Sequence, residues 1–302
     1  MANLTLKQLR YFEAVAKTGH FGRAAEACAV SQPALSVQIK ELEQSLGLQL
    51  FERTPKQVRL TRFGEEFAPR ARAILRDVDG LSDLARAARD GLAGRLRLGV
   101  IPTVAPYLLP TVLPALTTAR PGLDVHIRET VTPRLVAELQ DGKLDAAIVA
   151  LPLDEPTLAE TPLFDEDMVL VRPARDADAP VPRPDGLHAM RLLLLEEGHC
   201  FRDQALSFCN MGQAGAREGL DGSALSTLVQ MVGAGLGVTL IPDMAVAVEA
   251  RAAPVSVARF AAPAPQRRIG MVWRKTNPMS DALSEVAQIV AAAQPGKDPV
   301  NT

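Results

Sequence analysis

Two short helices meeting at a three-residue turn constrain the first sixty residues more tightly than any other pattern in the chain. Phe21-Gly22-Arg23-Ala24-Ala25-Glu26-Ala27-Cys28 reads as a brief alanine-rich helix and Ala29-Val30-Ser31 as the turn. Ser31 is a good N-cap and Pro33 suits a first helical turn, so a new helix starts there. In it Leu35, Ile39, Leu42 and Leu46 form a narrow apolar stripe. Pro33, Ser36, Val37 and Lys40 point the other way, with Ser31 and Gln32 at the exposed amino end. A helix over Leu6 to Lys17, with Leu6, Leu9, Phe12 and Ala16 on one face, precedes them. This is a helix-turn-helix, whose second helix enters a major groove where Gln and Ser can bond base edges. Arg53 to Thr61 reads as a two-stranded wing with basic tips, Arg53 and Lys56, for phosphates. The plainer alternative is a three-helix bundle with a polar face. Cys28 falls on the packing side and reads as a small buried apolar residue.

Charge agrees with an anionic partner for this module alone. Nine Lys or Arg against five Glu up to Arg62 leave it at +4, so with a net charge of −2 the remainder carries −6. With 302 residues, 47% hydrophobic and 23% charged, the chain has room for two or three domains. No run of 18 apolar residues and no basic-then-apolar leader is present, so a cytoplasmic location without membrane contact is expected. Three cysteines at uneven spacing make neither a disulfide framework nor a zinc site, and no metal or cofactor is expected.

From Thr61 the pattern changes. Phe67, Ala71, Ile74, Val78, Leu81, Ala85 and Ala88 recur at steps of four and three, a heptad seam. A long helix that pairs with its twin follows, unless it packs on its own body; Pro69 could bend its first turns. Beyond Gly94, strands at Leu96–Ile101, Leu123–Arg128 and Leu144–Val149 alternate with helices over 107–119 and 134–140. A second series spans 191–254, and Arg268 to Arg274 with a helix from Asp281 return to the first lobe. The expectation is two α/β lobes built on parallel sheets and joined by crossing strands, with a ligand cleft between them. The stretch from Ala174 to His188 reads as a surface loop.

Cys200 and Cys209 stand nine residues apart, and Cys200 follows His199. On one regular helix their Cα atoms would lie about 13 Å apart on opposite faces. A disulfide needs about 7 Å or less, so bonding would require the helix to refold. The spacing suggests a redox switch. Thiolate is the reactive form, and His199, Arg202 and Arg267 are candidate sources of positive charge for it.

The run FGRAAEACAVSQPALSVQIKELEQSLGLQLF from Phe21 to Phe51, followed by Glu52-Arg53-Thr54, resembles the LysR-type transcriptional regulators. Ile101 to Pro110, Pro162 to Glu166 and Glu197 to Ala205 resemble the OxyR-like, hydrogen peroxide-sensing members. The likeness implies an α+β multidomain chain. Its parts would be a winged helix-turn-helix over 1–62, a linker dimerisation helix over 63–91, and a two-lobed, periplasmic-binding-protein-like regulatory domain over 92–302. It implies a regulator rather than an enzyme, controlling antioxidant genes through a reversible Cys200–Cys209 disulfide. Cys200 would react with peroxide and Cys209 resolve it, with Thr103, Thr132, His199, Asp203 and Arg267 supporting the site. Ser31, Gln32, Pro33, Ser36, Lys40, Arg53 and Lys56 would contact double-stranded DNA. Implied partners are three further copies in a dimer of dimers, RNA polymerase and a thiol reductant such as glutaredoxin. Two departures are visible: Phe201 stands where Leu is usual, and 210–220 differ from the common pattern. A regulator of an organic effector and a thiol peroxidase are the rival readings.

Overall fold

Thr5 opens the first helix with a reciprocal cap: its hydroxyl accepts from the Gln8 amide, and the Gln8 side chain accepts from the Thr5 amide. The computed structural model describes residues 4–53, 58–90, 94–183, 186–187, 190–209 and 221–294. The chain forms two compact units, one up to Asp83 and one from Leu84 onward.

The first unit contains α1 (Leu6–Thr18), α2 (Phe21–Ala27), α3 (Gln32–Leu46), β1 (Phe51–Arg53) and β2 (Val58–Leu60). It also holds most of α4 (Arg62–Asp90). Ser31 caps α3 by accepting from the Ala34 amide, and α3 ends at left-handed Gly47. Leu35, Ile39 and Leu42 are fully buried, as their spacing requires, together with Phe12, Val15 and Leu50. In α1 the buried stripe is displaced from the expected one: Tyr11 and Val15 are buried while Leu6 is 43% exposed. Glu43 accepts from the Leu50 and Phe51 amides and so ties the β1–β2 hairpin to α3.

Helix α4 carries two stripes instead of one seam. Ala68, Ala71 and Leu75 are buried in the first unit's core, with Phe67 edge-on to Phe12 at 5.0 Å. Ile74 and Leu81 of the expected seam are 45% and 64% exposed. Ala85 and Ala88 lie in α4, but their side chains fall outside the described residues, as do the wing residues 54–57, Lys56 among them.

The second unit begins with β3 (Gly94–Val100), α5 (Ala105–Ala119), β4 (Leu123–Glu129), α6 (Thr132–Gln140), β5 (Ala146–Leu151) and β6 (Leu158–Pro173). Then come β7 (Leu194–Leu195), α7 (Cys200–Phe208), β8 (Asp221–Gly222), α8 (Leu225–Gly233), β9 (Thr239–Pro242) and α9 (Asp243–Glu249). It closes with β10 (Val255–Ala258), β11 (Gln266–Arg274) and α10 (Ser280–Ala292). The main sheet runs β10-β6-β11-β5-β3-β4, with β9 also paired to β6.

The expected parallel pairing is present, but antiparallel strands extend it into a mixed sheet. β4, β3 and β5 pair in parallel, as do β7 and β8, but β11 is antiparallel to both β5 and β6, and β6 is antiparallel to β9 and β10. The cause is β6, a 16-residue strand absent from the expected pattern. Its first part pairs β11, and its last six residues pair β9 and β10. It passes from one lobe to the other, and β11 returns beside it. Pro162 and the acidic run 165–167 disguise it, because both are depleted in ordinary strands. The register shifts by one residue opposite Ile269 and Gly270 of β11, leaving Leu163 of β6 as the extra residue. A Cβ at Gly270 would strike the Leu151 side chain and lie 3.0 Å from the Thr161 carbonyl oxygen, so only glycine fits the crossing.

Each lobe has its own core. Leu98, Ile148, Met271 and Leu283 centre the first, and Leu170, Val229, Leu240 and Cys209 the second. The region after Pro173 holds a 3₁₀ turn, Ala174–Asp176, followed by loop, with Gly186 and Leu187 again in 3₁₀ conformation; Pro184, Asp185, His188 and Ala189 lie outside the described residues. Among the described residues no helix is long and apolar enough to cross a membrane, and no His, Cys, Asp and Glu group could hold a metal.

Candidate functional site

Three chain reversals meet where the parallel strands end. After β3 the chain turns through Ile101–Val104 into α5; after β4, α6 starts at Thr132; after β7, Gly198 takes φ +93° and α7 starts at Cys200. Ligands in open α/β sheets bind beyond the carboxyl ends of the strands, which is this position. Ile101, Thr103, Thr132, His199, Cys200 and Phe201 line a tight recess there. Its walls are packed too closely to admit a water-sized sphere, so it is no pocket for a drug-sized ligand, and a water or a peroxide would enter only as the side chains shift. A wider, open groove of about 510 Å³ runs along the crossing strands beside Leu151, Glu160 and Asp165; neither Cys200 nor Cys209 lines it.

Thr103 is 2% exposed, and its Oγ1 accepts from Arg267 Nη1 at 2.8 Å while its carbonyl oxygen accepts from Nη2 at 3.0 Å. With its oxygen accepting, its own proton remains to be donated. Thr132 Oγ1 is buried and has no hydrogen-bond partner. A buried unpaired hydroxyl costs about 1–3 kcal/mol, so it marks where a small polar ligand or water would be held.

Arg267 does not line the recess. Its Nε donates to Glu166 Oε2 at 2.8 Å, and the guanidinium stacks over the Phe201 ring at 5.2 Å. Glu166 in turn accepts from the Met244 amide. The buried charge is thus neutralised, and Arg267 reaches the thiol only through Thr103 and Phe201. Arg202 is likewise engaged: it donates to the Leu195 carbonyl at 2.7 Å and pairs with Asp221 at 3.0 Å, tying α7 to β7 and β8. His199 is driven below its ordinary pKa by burial, which outweighs the opposing pull of Glu196, and is therefore neutral at neutral pH. Asp203 is exposed in the first turn of α7 and outside the recess. None of the three expected cations presents a free charge to the sulfur. What remains is the start of α7, where unpaired amides favour an anion, and the two threonine hydroxyls.

The two sulfurs sit in different surroundings. Cys200 is half-buried against the first lobe's core. Cys209, the C-cap of α7, is fully buried in the second lobe's core, and burial pushes its thiol up to about 11. Both are free thiols. Nine helical steps hold them about 13 Å apart. Gln204, missed from the sequence, lies one turn after Cys200 on the same helix face, with its Oε1 buried and unpaired. The i, i+4 spacing from the cysteine was the available signal.

In the first unit, Ser31, Gln32, Pro33 and Lys40 are exposed on α3 and Ser36 is half-buried. Arg53 ends β1.

Family models match both units: the bacterial regulatory helix-turn-helix of the lysR family over residues 6–65, and the LysR substrate binding domain over 89–295. A probable hydrogen peroxide-inducible genes activator of Streptomyces viridosporus is 46% identical over 294 residues, covering 96% of this chain and 94% of that one. The DNA-binding transcriptional dual regulator OxyR of Escherichia coli is 39% identical over 297 residues, 97% of each chain. Among solved structures, a full-length OxyR variant from Pseudomonas aeruginosa matches with TM-score 0.70 and 38% identity, covering 98% of this chain and 99% of that one. A hydrogen peroxide-bound OxyR mutant of Corynebacterium glutamicum matches with TM-score 0.65 and 36% identity, covering 96% and 92%. On both units and along nearly its whole length, the chain belongs to the LysR family of bacterial transcription regulators, in its OxyR-like group.

Proposed function

We propose that this regulator senses hydrogen peroxide at Cys200 and converts the reaction into a Cys200–Cys209 disulfide that changes its hold on promoter DNA. The observation that carries the reading is one short helix, α7, with a thiol at each end. One thiol lines a tight recess together with two threonines, and the other is sealed in a core.

Thiolate at Cys200 attacks one peroxide oxygen, forming the S–O bond as the O–O bond breaks. The departing hydroxide takes a proton and leaves as water. Thr103 and Thr132 donate to the peroxide oxygens and steady the developing charge. The product is a sulfenic acid. Cys209 then attacks that sulfur and expels the second oxygen as water, so two thiols supply the two electrons that reduce peroxide. Cys209 can do so only after leaving its apolar site, where it is held protonated. A nine-residue helix without a side-chain N-cap is marginal by itself, which makes the required melting accessible.

The three-part division at 1–62, 63–91 and 92–302 fits this role. Exposed Ile74 and Leu81 offer α4 a seam for a second copy, giving a dimer that reads two half-sites, and regulatory domains joining two dimers give a tetramer. RNA polymerase would be the target of activation and a glutaredoxin-type thiol the reductant, in the cytoplasm. Slow reduction of the disulfide keeps the chemistry near one peroxide per site, unlike the turnover of a thiol peroxidase. The tight recess disfavours an organic effector beside Cys200. Mass spectrometry of the thiols after one equivalent of peroxide, beside a DNA footprint, tests the reading. Loss of the Cys200 and Cys209 thiols together with an altered footprint is expected; thiols that stay free while the footprint shifts would sink it.

A further inference from the structure

Val37 is 53% exposed on α3, four residues after Pro33 and three before Lys40, on the side away from buried Leu35, Ile39 and Leu42. Residues at those spacings stand in one row along a helix. Gln32, Pro33 and Lys40 around it are exposed as well. Folding does not account for a valine here: it adds nothing to the core, and a β-branched residue is a poorer helix former than alanine. Its neighbours Gln32 and Ser36 can bond base edges, and Lys40 can reach phosphate. Val37 can do neither. With the Pro33 ring it forms a small apolar surface inside an otherwise polar face.

In the major groove the one apolar group that base edges offer is the C5-methyl of thymine. We infer that Val37, backed by Pro33, is a specificity-determining residue that packs on a thymine methyl in each half-site. The inference rests on α3 being the groove-reading helix of this LysR-family chain.

The full chain is first given a pool of randomised duplexes to find its preferred sequence. Each thymine of that duplex is then replaced in turn by uracil, which keeps every hydrogen-bonding group and removes only the methyl. One position per half-site is expected to weaken binding roughly fourfold, the worth of one buried carbon. In Val37→Ala that penalty should vanish at the same position while the others persist and the salt dependence stays unchanged. Circular dichroism should show the variant folded, since the side chain is outside the core. Matching uracil profiles for the wild type and Val37→Ala, flat or not, overturn the assignment while leaving α3 as the reader. A selection that returns no preferred sequence removes the groove-reading role itself, and Val37's role with it.

Discussion

Helices α3 and α7 make opposite use of the same chemistry. Helix α3 has 15 residues, a serine cap at its start, proline in its first turn, a left-handed glycine at its end and three fully buried residues along one stripe. Helix α7 has nine, no side-chain bond at its N-cap, and buried residues flanking a thiol that must leave if the switch is to work. A capped, well-packed helix holds a rigid surface toward DNA. A short, uncapped one opposes rearrangement less. On the proposed reading, rigidity is placed where shape is read and weakness where a bond must form.

The largest effect that could break this comparison is Cys200→Ser. Peroxide should no longer alter the footprint, and thiol oxidation should slow by at least about a hundredfold, because the hydroxyl cannot replace the thiolate. DNA binding by α3 should be untouched. A retained peroxide response would place the sensor elsewhere.

Next is the pH dependence of Cys209. Its folded pKa of about 11 lies above the ordinary thiol value, so the protonated form stabilises the fold. That contribution is complete below pH 9 and is lost as the pH rises toward 11. Alkylation of the reduced protein at pH 8 should therefore label Cys200 well before Cys209, with the order collapsing above pH 10. Equal labelling at pH 8 would show that α7 is already open.

Thr132→Val separates chemistry from stability. Removing the hydroxyl should slow peroxide reaction roughly tenfold, the worth of one hydrogen bond to developing charge. Thermal stability of the reduced form should hold or rise, because an unpaired buried oxygen is deleted. Falling stability with an unchanged rate would make Thr132 a structural residue only.

The smallest effect probes the helix itself. Ser207 is exposed in the last turn of α7. Alanine there favours the helix over glycine by about 1 kcal/mol. If oxidation melts α7, Ser207→Gly should bring the disulfide's potential below that of Ser207→Ala by about 20 mV, measured against glutathione. Identical potentials would mean that the helix survives disulfide formation.

Local patterns foretold much of this molecule. The Ser31 cap, the Leu35-Ile39-Leu42 stripe, the strand ending at Val100 and the cysteine pair all announce themselves within a few residues of chain. Turn chemistry and period are local properties, and the long likeness to LysR-type regulators carried the rest of the fold. Strand β6 escaped because its sixteen residues serve two lobes, so no single period runs through it.

The state of each site group was settled only by residues far away in sequence. Arg267 looked like a cation for the sulfur, but Glu166, a hundred residues earlier, takes its charge and Thr103 fixes its aim. His199 is neutral because packing removes water from it. Thr132 and Gln204 matter because nothing packed around them completes their hydrogen bonds. Residue types and spacings follow from neighbours along the chain, whereas charge, burial and unmet polar groups depend on what folding brings alongside.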